Sequence, residues 1–295
     1  PSPDRVTVVY DPLQLDSLDE FLGRLRDLAD TAVAGPPAAA ARHVLPVCYG
    51  GDQGPDLAAV CRHHGIGRET LIRLHTSPDY LVTAIGFVPG FPYLAGLSER
   101  LATPRLASPR TEIPAGSVGI GGSQTGVYPF ATPGGWRLIG RTGFSLFDAA
   151  ASPAATLAVG DLVRFRETAE RPAAATAAAP TSRVPRPPIA TVLEPGLMTT
   201  VQDGGRPRQR AAGVPKSGAA DLLSARLANL VVGNPESAAV LEFTLIGPSL
   251  QFEADALIGI VGTTVAGPPT LRPLPIRAGT RLKLGHLTAG CRGYL

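Results

Sequence analysis

The stretch GSVGIGGSQTGVYP, residues 116–129, places five glycines within eleven positions. Two interpretations compete for it. Consecutive backbone N–H groups of a glycine-rich turn can form a concave anion-binding site. Alternatively, glycines at the corners and bulges of a β-barrel only let the chain turn or approach another segment closely. Taken alone, the stretch favours the barrel interpretation.

The same stretch matches none of the standard catalytic or phosphate-binding loops. No lysine lies within it, as a Walker A loop requires, and Gln124 stands where the dinucleotide fingerprint has its last glycine. The G-x-S-x-G motif of a nucleophile elbow is also absent, because Thr125 stands where its last glycine is required. The stretch therefore predicts neither a standard nucleotide-binding loop nor a serine hydrolase.

The composition narrows the class of protein. The chain has 295 residues, 44% hydrophobic and 17% charged, which is typical of a soluble protein with more than one domain. Its 34 glycines and 30 prolines favour short strands and tight turns over long helices. With a net charge of +3 and no basic run interleaved with aromatic residues, the sequence argues against a nucleic-acid partner.

Cysteine usage and hydropathy indicate the compartment. The three cysteines have neither the spacing of a disulfide framework nor that of a zinc site, and we predict no metal site. No apolar run is long enough to span a bilayer, and no signal peptide opens the sequence. We therefore expect a cytoplasmic protein without a membrane partner.

Local patterns divide the chain into four segments. Residues 1–42 are predicted to be the remnant of a small α/β domain, with a strand over residues 5–12 and a helix that begins at a capping box formed by Ser17 and Glu20. Residues 43–167 and 189–295 carry β-type patterns, each with a short helix, at 54–67 and 221–235. Residues 168–188 form a linker rich in proline and alanine.

Three motifs in the first half carry a family resemblance. They are GFVPGFPYLAGL at 86–97, RLATPRLASPRTEIPAGSVGIGG at 100–122 and TPGGWRLIGRT at 132–142. They resemble the B subunit of 5-oxoprolinase, whose family is also called allophanate hydrolase subunit 1 or the Kip kinase-inhibitor family. The resemblance covers residues 1–167.

Residues 194–250 resemble the start of the C subunit of 5-oxoprolinase, also called allophanate hydrolase subunit 2. The chain departs from that family's usual motifs at Gly204, where leucine is usual, and at Ala220, where methionine is usual. The two resemblances together imply a fusion of the B and C subunits that is truncated at both ends. They also imply a mainly β fold, with a cyclophilin-like barrel over residues 43–167 and a partial second β-barrel domain over residues 189–295.

The resemblance implies an ATP-dependent hydrolase that opens the lactam of 5-oxoproline to glutamate. Because the sequence shows no ATP motif, it implies a separate A subunit, with ATP and Mg²⁺ bound in the whole complex. Two alternatives stay open. One is the carboxyltransferase domain of a biotin-dependent enzyme that resembles urea carboxylase, with biotin as cofactor. The other is a non-enzymatic inhibitor of a histidine kinase, which needs an exposed apolar docking face.

Candidate site residues are polar or aromatic members of the matched motifs. The catalytic candidates are Gln124, Asp203 and Asp221. The candidates for binding an amide or lactam substrate are Phe91, Tyr93, Arg110, Gly119, Gly122, Thr125, Tyr128, Arg141, Gln202, Arg206 and Ser217. Guanidinium groups clamp carboxylates or phosphates, and amides and phenols hydrogen-bond the reacting amide. In the context of the matched motifs, the glycine turn is also expected to bring backbone N–H donors to a small anionic or amide ligand. We expect the two halves to share the site.

Several candidates also have a purely structural interpretation. Arg141 can pair with Asp148 at a barrel surface, Tyr128 can be a core residue, and Asp221 can cap the helix that follows it. The aromatic residues of the motifs can be core or groove wall. His75, which also matches the resemblance, is interpreted as a buried histidine with its hydrogen bonds satisfied.

Overall fold

The structure, a computed structural model, describes residues 8, 10–31, 40–172 and 187–295. The chain divides into two compact units. The first comprises the chain up to residue 177 together with Arg210–Val214, and the second comprises residues 178–209 and 215–295. Half of the predicted opening strand, at residues 5–7 and 9, lies outside the described residues, as do residues 173–186 of the predicted linker. The described half is not a strand, because residues 8, 10 and 11 have no regular structure and Pro12 begins a short 3₁₀ helix that ends at Gln14.

The first unit holds three α-helices and nine strands. The helices are α1 (Leu18–Thr31), α2 (Leu57–His64) and α3 (Arg68–Thr76). The strands are β1 (Arg42–Tyr49), β2 (Tyr80–Ile85), β3 (Pro92–Ala95), β4 (Arg110–Ile113), β5 (Ser117–Gly121), β6 (Gln124–Val127), β7 (Thr132–Gly134), β8 (Arg137–Arg141) and β9 (Leu162–Glu167).

Seven of these strands close into a barrel in the order β1-β8-β5-β6-β3-β2-β9. The pairing is parallel only between β1 and β9, where Arg42 lies opposite Leu162 and Val47 opposite Glu167. Strands β4 and β7 form a separate antiparallel pair. The mainly β class predicted from the glycine and proline content is confirmed, and the first β-barrel is closed.

The alternation of side chains along each strand fills the barrel interior. Inward-facing positions of β1, β2, β5 and β9 supply Leu45, Val82, Ile120 and Phe165 to one large apolar cluster. Helices α2 and α3 cover one end of this cluster through Val60 and Leu71. The barrel therefore has a solid core, and ligand-facing residues must lie outside it.

His75 is the one fully buried histidine among the described residues, at the end of α3. Its Nδ1 lies 2.7 Å from the hydroxyl of Tyr49 and its Nε2 lies 3.0 Å from Oγ1 of Thr125. The Thr125 hydroxyl donates to the carbonyl of Gly119 at 3.0 Å, so it accepts from Nε2–H, and Tyr49 donates to Nδ1. A neutral imidazole therefore has a hydrogen-bond partner at both ring nitrogens, as the structural interpretation of His75 predicts.

The second unit contains helix α4 (Leu222–Val231) and nine strands. These are β10 (Ala190–Glu194), β11 (Thr199–Gln202), β12 (Val240–Thr244), β13 (Ile246–Phe252), β14 (Ala256–Ile258), β15 (Thr264–Val265), β16 (Leu274–Ile276), β17 (Arg281–Ala289) and β18 (Arg292–Tyr294). They form open sheets, β10-β13-β17-β15, β11-β12-β18 and β14-β16, around a core centred on Phe243, Leu250 and Leu284. The described strands of this unit do not close into a barrel.

The helices predicted from capping residues are confirmed. Helix α1 starts where the backbone N–H of Glu20 donates to Oγ of Ser17 at 3.3 Å. Helix α2 ends at Gly65, whose φ of 62° is the left-handed C-cap conformation. The sequence interpretation missed α3, because Gly67 precedes it and its N-terminus has no side-chain cap.

Candidate functional site

The outer face of β5 and β6 carries an aromatic layer. Trp136, the only tryptophan of the chain, lies with its ring centroid 5.4 Å from that of Phe91 and 6.0 Å from that of Tyr93. Phe91 also packs edge-on against Tyr128 at 5.1 Å. Ile113 and Leu138 complete this cluster.

The glycines of the opening stretch create the room for this layer. A Cβ atom at Gly121 would lie 2.5 Å from the Trp136 ring, one at Gly126 would lie 3.0 Å from it, and one at Gly119 would lie 3.1 Å from Cβ of Trp136. Contacts this short leave no space for a side chain. The three glycines therefore let an indole ring lie directly on the backbone of the sheet.

Replacing Gly121 by alanine is expected to lower the free energy of unfolding by about 1–3 kcal/mol, because the new methyl group forces the indole off the sheet. Urea unfolding followed by Trp136 fluorescence measures this, and the native emission maximum is expected to shift as well. Gly135→Ala is the matched control, because its Cβ would meet only ordinary contacts at 3.8 Å. Equal stabilities of the two variants would contradict the account.

Backbone donors of the stretch are used by the sheet itself. The N–H of Gly122 donates to the carbonyl of Thr103 at 2.8 Å, and the N–H of Gly116 donates to the carbonyl of Tyr128 at 2.6 Å. Gly119 pairs with Gly126 on one side and with Leu138 on the other. The expectation that main-chain N–H groups of Gly119 and Gly122 face a ligand is therefore replaced by a role in packing and strand pairing.

Gln124 lies on the same face as the aromatic layer. It is paired directly with Gly121, and residues directly opposite in an antiparallel pair project to the same side of the sheet. Its side chain is half-buried. Within the described part of the chain, its amide makes no hydrogen bond to a protein group, so both its carbonyl and its NH₂ group are free to bind a ligand.

Two arginines border the aromatic layer. The guanidinium carbon of Arg105 lies 5.8 Å from the centroid of the Trp136 ring. Burial raises the pKa of the Tyr128 hydroxyl, and Arg105 and Arg110 both oppose that rise. Burial likewise raises the pKa of Tyr93 against the influence of Arg105. Positive charge is therefore concentrated at this edge of the layer.

Arg110 is held by an ion pair. Its Nη2 donates to Oδ1 of Asp56 at 2.8 Å, and Oδ2 of Asp56 accepts from the backbone N–H of Leu138 at 2.7 Å. Nη1 of Arg110 is buried and has no hydrogen-bond partner among the described residues. A buried N–H without a partner is unfavourable.

Other candidates of the first unit lie elsewhere. The Thr125 side chain is fully buried and faces the barrel interior, where it bonds to His75 and Gly119, so it does not contact a ligand on the outer face. Arg141 lies opposite Ser117, at the far end of β5 from Gln124 and about 13 Å away by strand rise. Its Nε donates to the carbonyl of Ala115 at 2.7 Å, so the alternative pairing of Arg141 with Asp148 is not formed.

Phe91 and Tyr128 form the floor of the aromatic layer and are almost completely buried. Tyr93 is half-buried, so part of it is accessible to a ligand. Of the three aromatic residues predicted to bind substrate, Tyr93 therefore keeps the most accessible surface, and the other two shape the surface beneath it.

The candidates of the second unit gather around two adjoining loops. The backbone N–H of Arg206 donates to the carbonyl of Lys216 at 2.7 Å, and that of Ala219 donates to the carbonyl of Asp203 at 2.9 Å. Oδ1 of Asp203 accepts from the N–H of Gly205 at 2.7 Å, which closes a turn. Ser217 is exposed and has a φ of +48°.

Gln202 is half-buried, and its amide donates to Oγ1 of Thr200 at 3.0 Å. This bond occupies one of the two amide protons of Gln202. The fold thus brings Gln202, Asp203, Arg206 and Ser217 together from the two matched motifs.

Asp221 is the N-cap of α4. Its Oδ1 accepts from the backbone N–H of Ser224 at 3.1 Å, and its Oδ2 accepts from the Ser224 hydroxyl. These hydrogen bonds from Ser224 hold the pKa of Asp221 below its ordinary value. A carboxylate with a lowered pKa is a weaker base. The capping alternative therefore explains this residue, and its assignment as a general base is not supported.

The sequence interpretation missed three residues that shape the face. The sequence alone indicates only a core or groove-wall role for Trp136, whereas the structure places the glycines of the opening stretch directly beside its ring. Arg105 lies next to a proline within a matched motif, and its role depends on a contact with Trp136 that no local pattern predicts. Asp56 positions Arg110 across 54 residues of sequence.

Neither a cluster of metal-ligating side chains nor a membrane-spanning helix is found in the described residues. No group of three or more His, Cys, Asp or Glu side chains there is arranged to hold a metal ion. None of the helices there has the length and apolar character that a bilayer crossing requires.

The sequence resembles known proteins over both units. The 5-oxoprolinase B subunit of Escherichia coli O157:H7 is 59% identical over 121 residues, which are 41% of this chain and 56% of that protein. The 5-oxoprolinase B subunit of Bacillus subtilis (strain 168) is 52% identical over 127 residues, which are 43% of this chain and 53% of that protein. The chain thus spans about half the length of these curated relatives.

A crystal structure of a protein named TTHA0988 matches with a TM-score of 0.70 and 36% identity, covering 97% of this chain and 57% of that one. Two family profiles also match. "Carboxyltransferase domain, subdomain A and B" matches residues 212–295, and "Carboxyltransferase domain, subdomain C and D" matches residues 1–157. Because the latter covers more than half of the sequence, the chain belongs to the family of carboxyltransferase domains with subdomains C and D.

Proposed function

We propose that the chain is a component of an ATP-dependent 5-oxoprolinase, which hydrolyses the cyclic amide of 5-oxoproline to glutamate. The names of the relatives, which are B subunits of 5-oxoprolinase, support this reaction. The observation that carries the proposal is the free Gln124 amide beside an aromatic layer bordered by Arg105 and Arg110.

The chemistry of this face suits 5-oxoproline part by part. The ligand has a small, largely apolar ring, a secondary amide and a carboxylate. The ring can pack on the half-buried Tyr93, as apolar rings do on aromatic side chains. The carboxylate can pair with a guanidinium group, for which the exposed Arg105 and the partly exposed Arg110 are suited.

The amide of Gln124 both donates and accepts hydrogen bonds. It can donate to the lactam carbonyl, on which negative charge develops as the ring opens, and accept from the lactam N–H. A donor aimed at developing negative charge lowers the barrier more than one that binds the ground state alone. We assign Gln124 to this electrostatic role.

ATP is assigned to another component of the complex. The glycine stretch of this chain uses its backbone for sheet pairing, and the sequence has no Walker A loop. We therefore propose a separate A subunit that supplies the ATP site, with Mg²⁺ bound to the nucleotide. The loops around Asp203 and Ser217 of the second unit are further candidates for substrate contact.

Gln124→Ala is expected to lower kcat for 5-oxoproline about 100- to 1,000-fold, because one charge-stabilising donor is removed. The measurement is ATP-dependent glutamate release by the full chain combined with a 5-oxoprolinase A subunit. Ser123→Ala is the matched control, since this neighbouring side chain is exposed. Unchanged circular dichroism would show that the fold is intact, and an unchanged kcat would contradict the assignment.

A biotin-dependent carboxyltransferase is the second candidate function. The family description favours it, since both matched profiles are named for carboxyltransferase subdomains. This function requires a biotin carrier and transfers a carboxyl group to urea or a related amide. Carboxylation of urea by the full chain with carboxybiotin, together with inactivity toward 5-oxoproline, would select this candidate over the first.

A further inference from the structure

Phe87 is held in an unusual conformation beside the aromatic layer. Its φ is +67°, in the left-handed region that bulky side chains avoid. Its side chain is nevertheless 59% exposed. A large apolar side chain in this conformation contributes little to folding, and such strained residues concentrate at ligand-binding sites.

The surrounding loop fixes the conformation of Phe87. The N–H of Gly86 donates to the carbonyl of Phe91 at 3.1 Å, and the N–H of Val88 donates to the carbonyl of Gly86 at 2.8 Å. The N–H of Phe91 donates to the carbonyl of Val88 at 3.1 Å. Three hydrogen bonds thus close a tight loop around one residue and maintain its strained backbone.

The Phe87 ring stands on edge at the border of the layer. It meets the Phe91 ring at 5.6 Å with an interplanar angle of 81°, and the Tyr128 ring at 6.4 Å with an angle of 88°. Because these contacts leave most of the ring accessible, an exposed aromatic surface rises next to the floor that Phe91 and Tyr128 form. Phe91 and Tyr128 are almost completely buried, so the exposed ring of Phe87 is the aromatic surface that a ligand can reach at this border.

We propose that Phe87 is a ligand-contacting residue of this face, and that its exposed ring packs against the planar lactam of the bound substrate. This inference rests on the proposed function, from which the class of ligand is taken. The strained backbone conformation, which the hydrogen bonds of the loop maintain, keeps the ring at the border of the layer. A relaxed backbone would turn the ring away from it.

Two substitutions distinguish the effect of removing the Phe87 ring from the effect of relaxing the backbone strain. Phe87→Ala and Phe87→Gly both remove the ring, so both are expected to raise KM for 5-oxoproline about five- to tenfold, with kcat changed less than about threefold. Only glycine relaxes the backbone, so the Gly variant is expected to unfold about 2–4 °C above the Ala variant. Phe87→Tyr keeps the ring and is expected to recover most of the KM increase seen in the Ala variant.

Each outcome of this experiment is informative. If the full chain with a 5-oxoprolinase A subunit hydrolyses 5-oxoproline and Phe87→Ala keeps the wild-type KM, the role of Phe87 is wrong while the proposed function stands. If the unsubstituted chain does not hydrolyse 5-oxoproline under these conditions, the proposed function fails and the ligand contact fails with it. Equal unfolding temperatures of the Ala and Gly variants would overturn the assignment of strain.

Discussion

Lowering the pH from 6.5 to 3 is expected to reduce the free energy of unfolding of the barrel by about 4 kcal/mol through His75 alone. Burial lowers the pKa of this imidazole from 6.5 to about 3 in the folded protein. Between these values the unfolded chain binds a proton that the folded barrel excludes. Stability therefore falls as the pH decreases through this window, and above pH 6.5 the group has no effect.

Urea titrations at several pH values, followed by the fluorescence of Trp136, measure this dependence in the first unit. His75→Gln lacks the titrating group. In this variant, the free energy of unfolding should therefore depend on pH less steeply than in the wild type, by about 1.4 kcal/mol per pH unit. Should that variant fail to fold, the imidazole ¹⁵N shifts of wild-type His75 give the same answer. An imidazole that titrates between pH 6 and 7 in the folded protein would contradict the account.

Replacing Asp56 by alanine is expected to lower the free energy of unfolding by about 3–5 kcal/mol, since it leaves a charged partner uncompensated. The Asp56 side chain is buried, and its two oxygens bind the Arg110 guanidinium and the Leu138 N–H. Its removal leaves that buried N–H without a partner as well. Arg110 is partly exposed, so water moderates the loss toward the lower value.

Glu167→Ala is the matched control for Asp56→Ala. Glu167 pairs with Arg68 at 2.9 Å, but both side chains are about half exposed, and such ion pairs contribute at most about 1 kcal/mol. Denaturant unfolding should therefore separate the two variants by at least about 2 kcal/mol. Equal losses would show that the Asp56 bridge does not hold Arg110 in place.

Sequence patterns predicted the features that depend on neighbouring residues. Ser17 with Glu20 and Gly65 indicated helix ends because capping acts within one turn of a helix. The density of glycine and proline indicated a β-rich fold, because these residues favour tight turns between short strands. The family resemblance placed Gln124 and Tyr93 among the candidates, and both lie on the outer face of the barrel.

Features that depend on contacts between residues distant in sequence were not predicted. Thr125 and Gln124 are neighbours in sequence, yet alternation along β6 turns one to His75 in the core and the other to the outer face. The barrel glycines were candidate ligand-binding donors, but Trp136 occupies the space above them. Asp221 suited both catalysis and capping by its position in the sequence, and only its bonds to Ser224 distinguish the two.

The central claim is that a ligand binds on the outer face that Gln124, Tyr93 and Trp136 share. Because Trp136 is the only tryptophan, its fluorescence reports this face directly. Titration of the full chain with 5-oxoproline is predicted to change the Trp136 emission in a saturable way, with weaker binding in Gln124→Ala and unaltered binding in Ser123→Ala. Saturable binding that leaves the Trp136 emission unchanged, or that Gln124→Ala does not weaken, would contradict the claim.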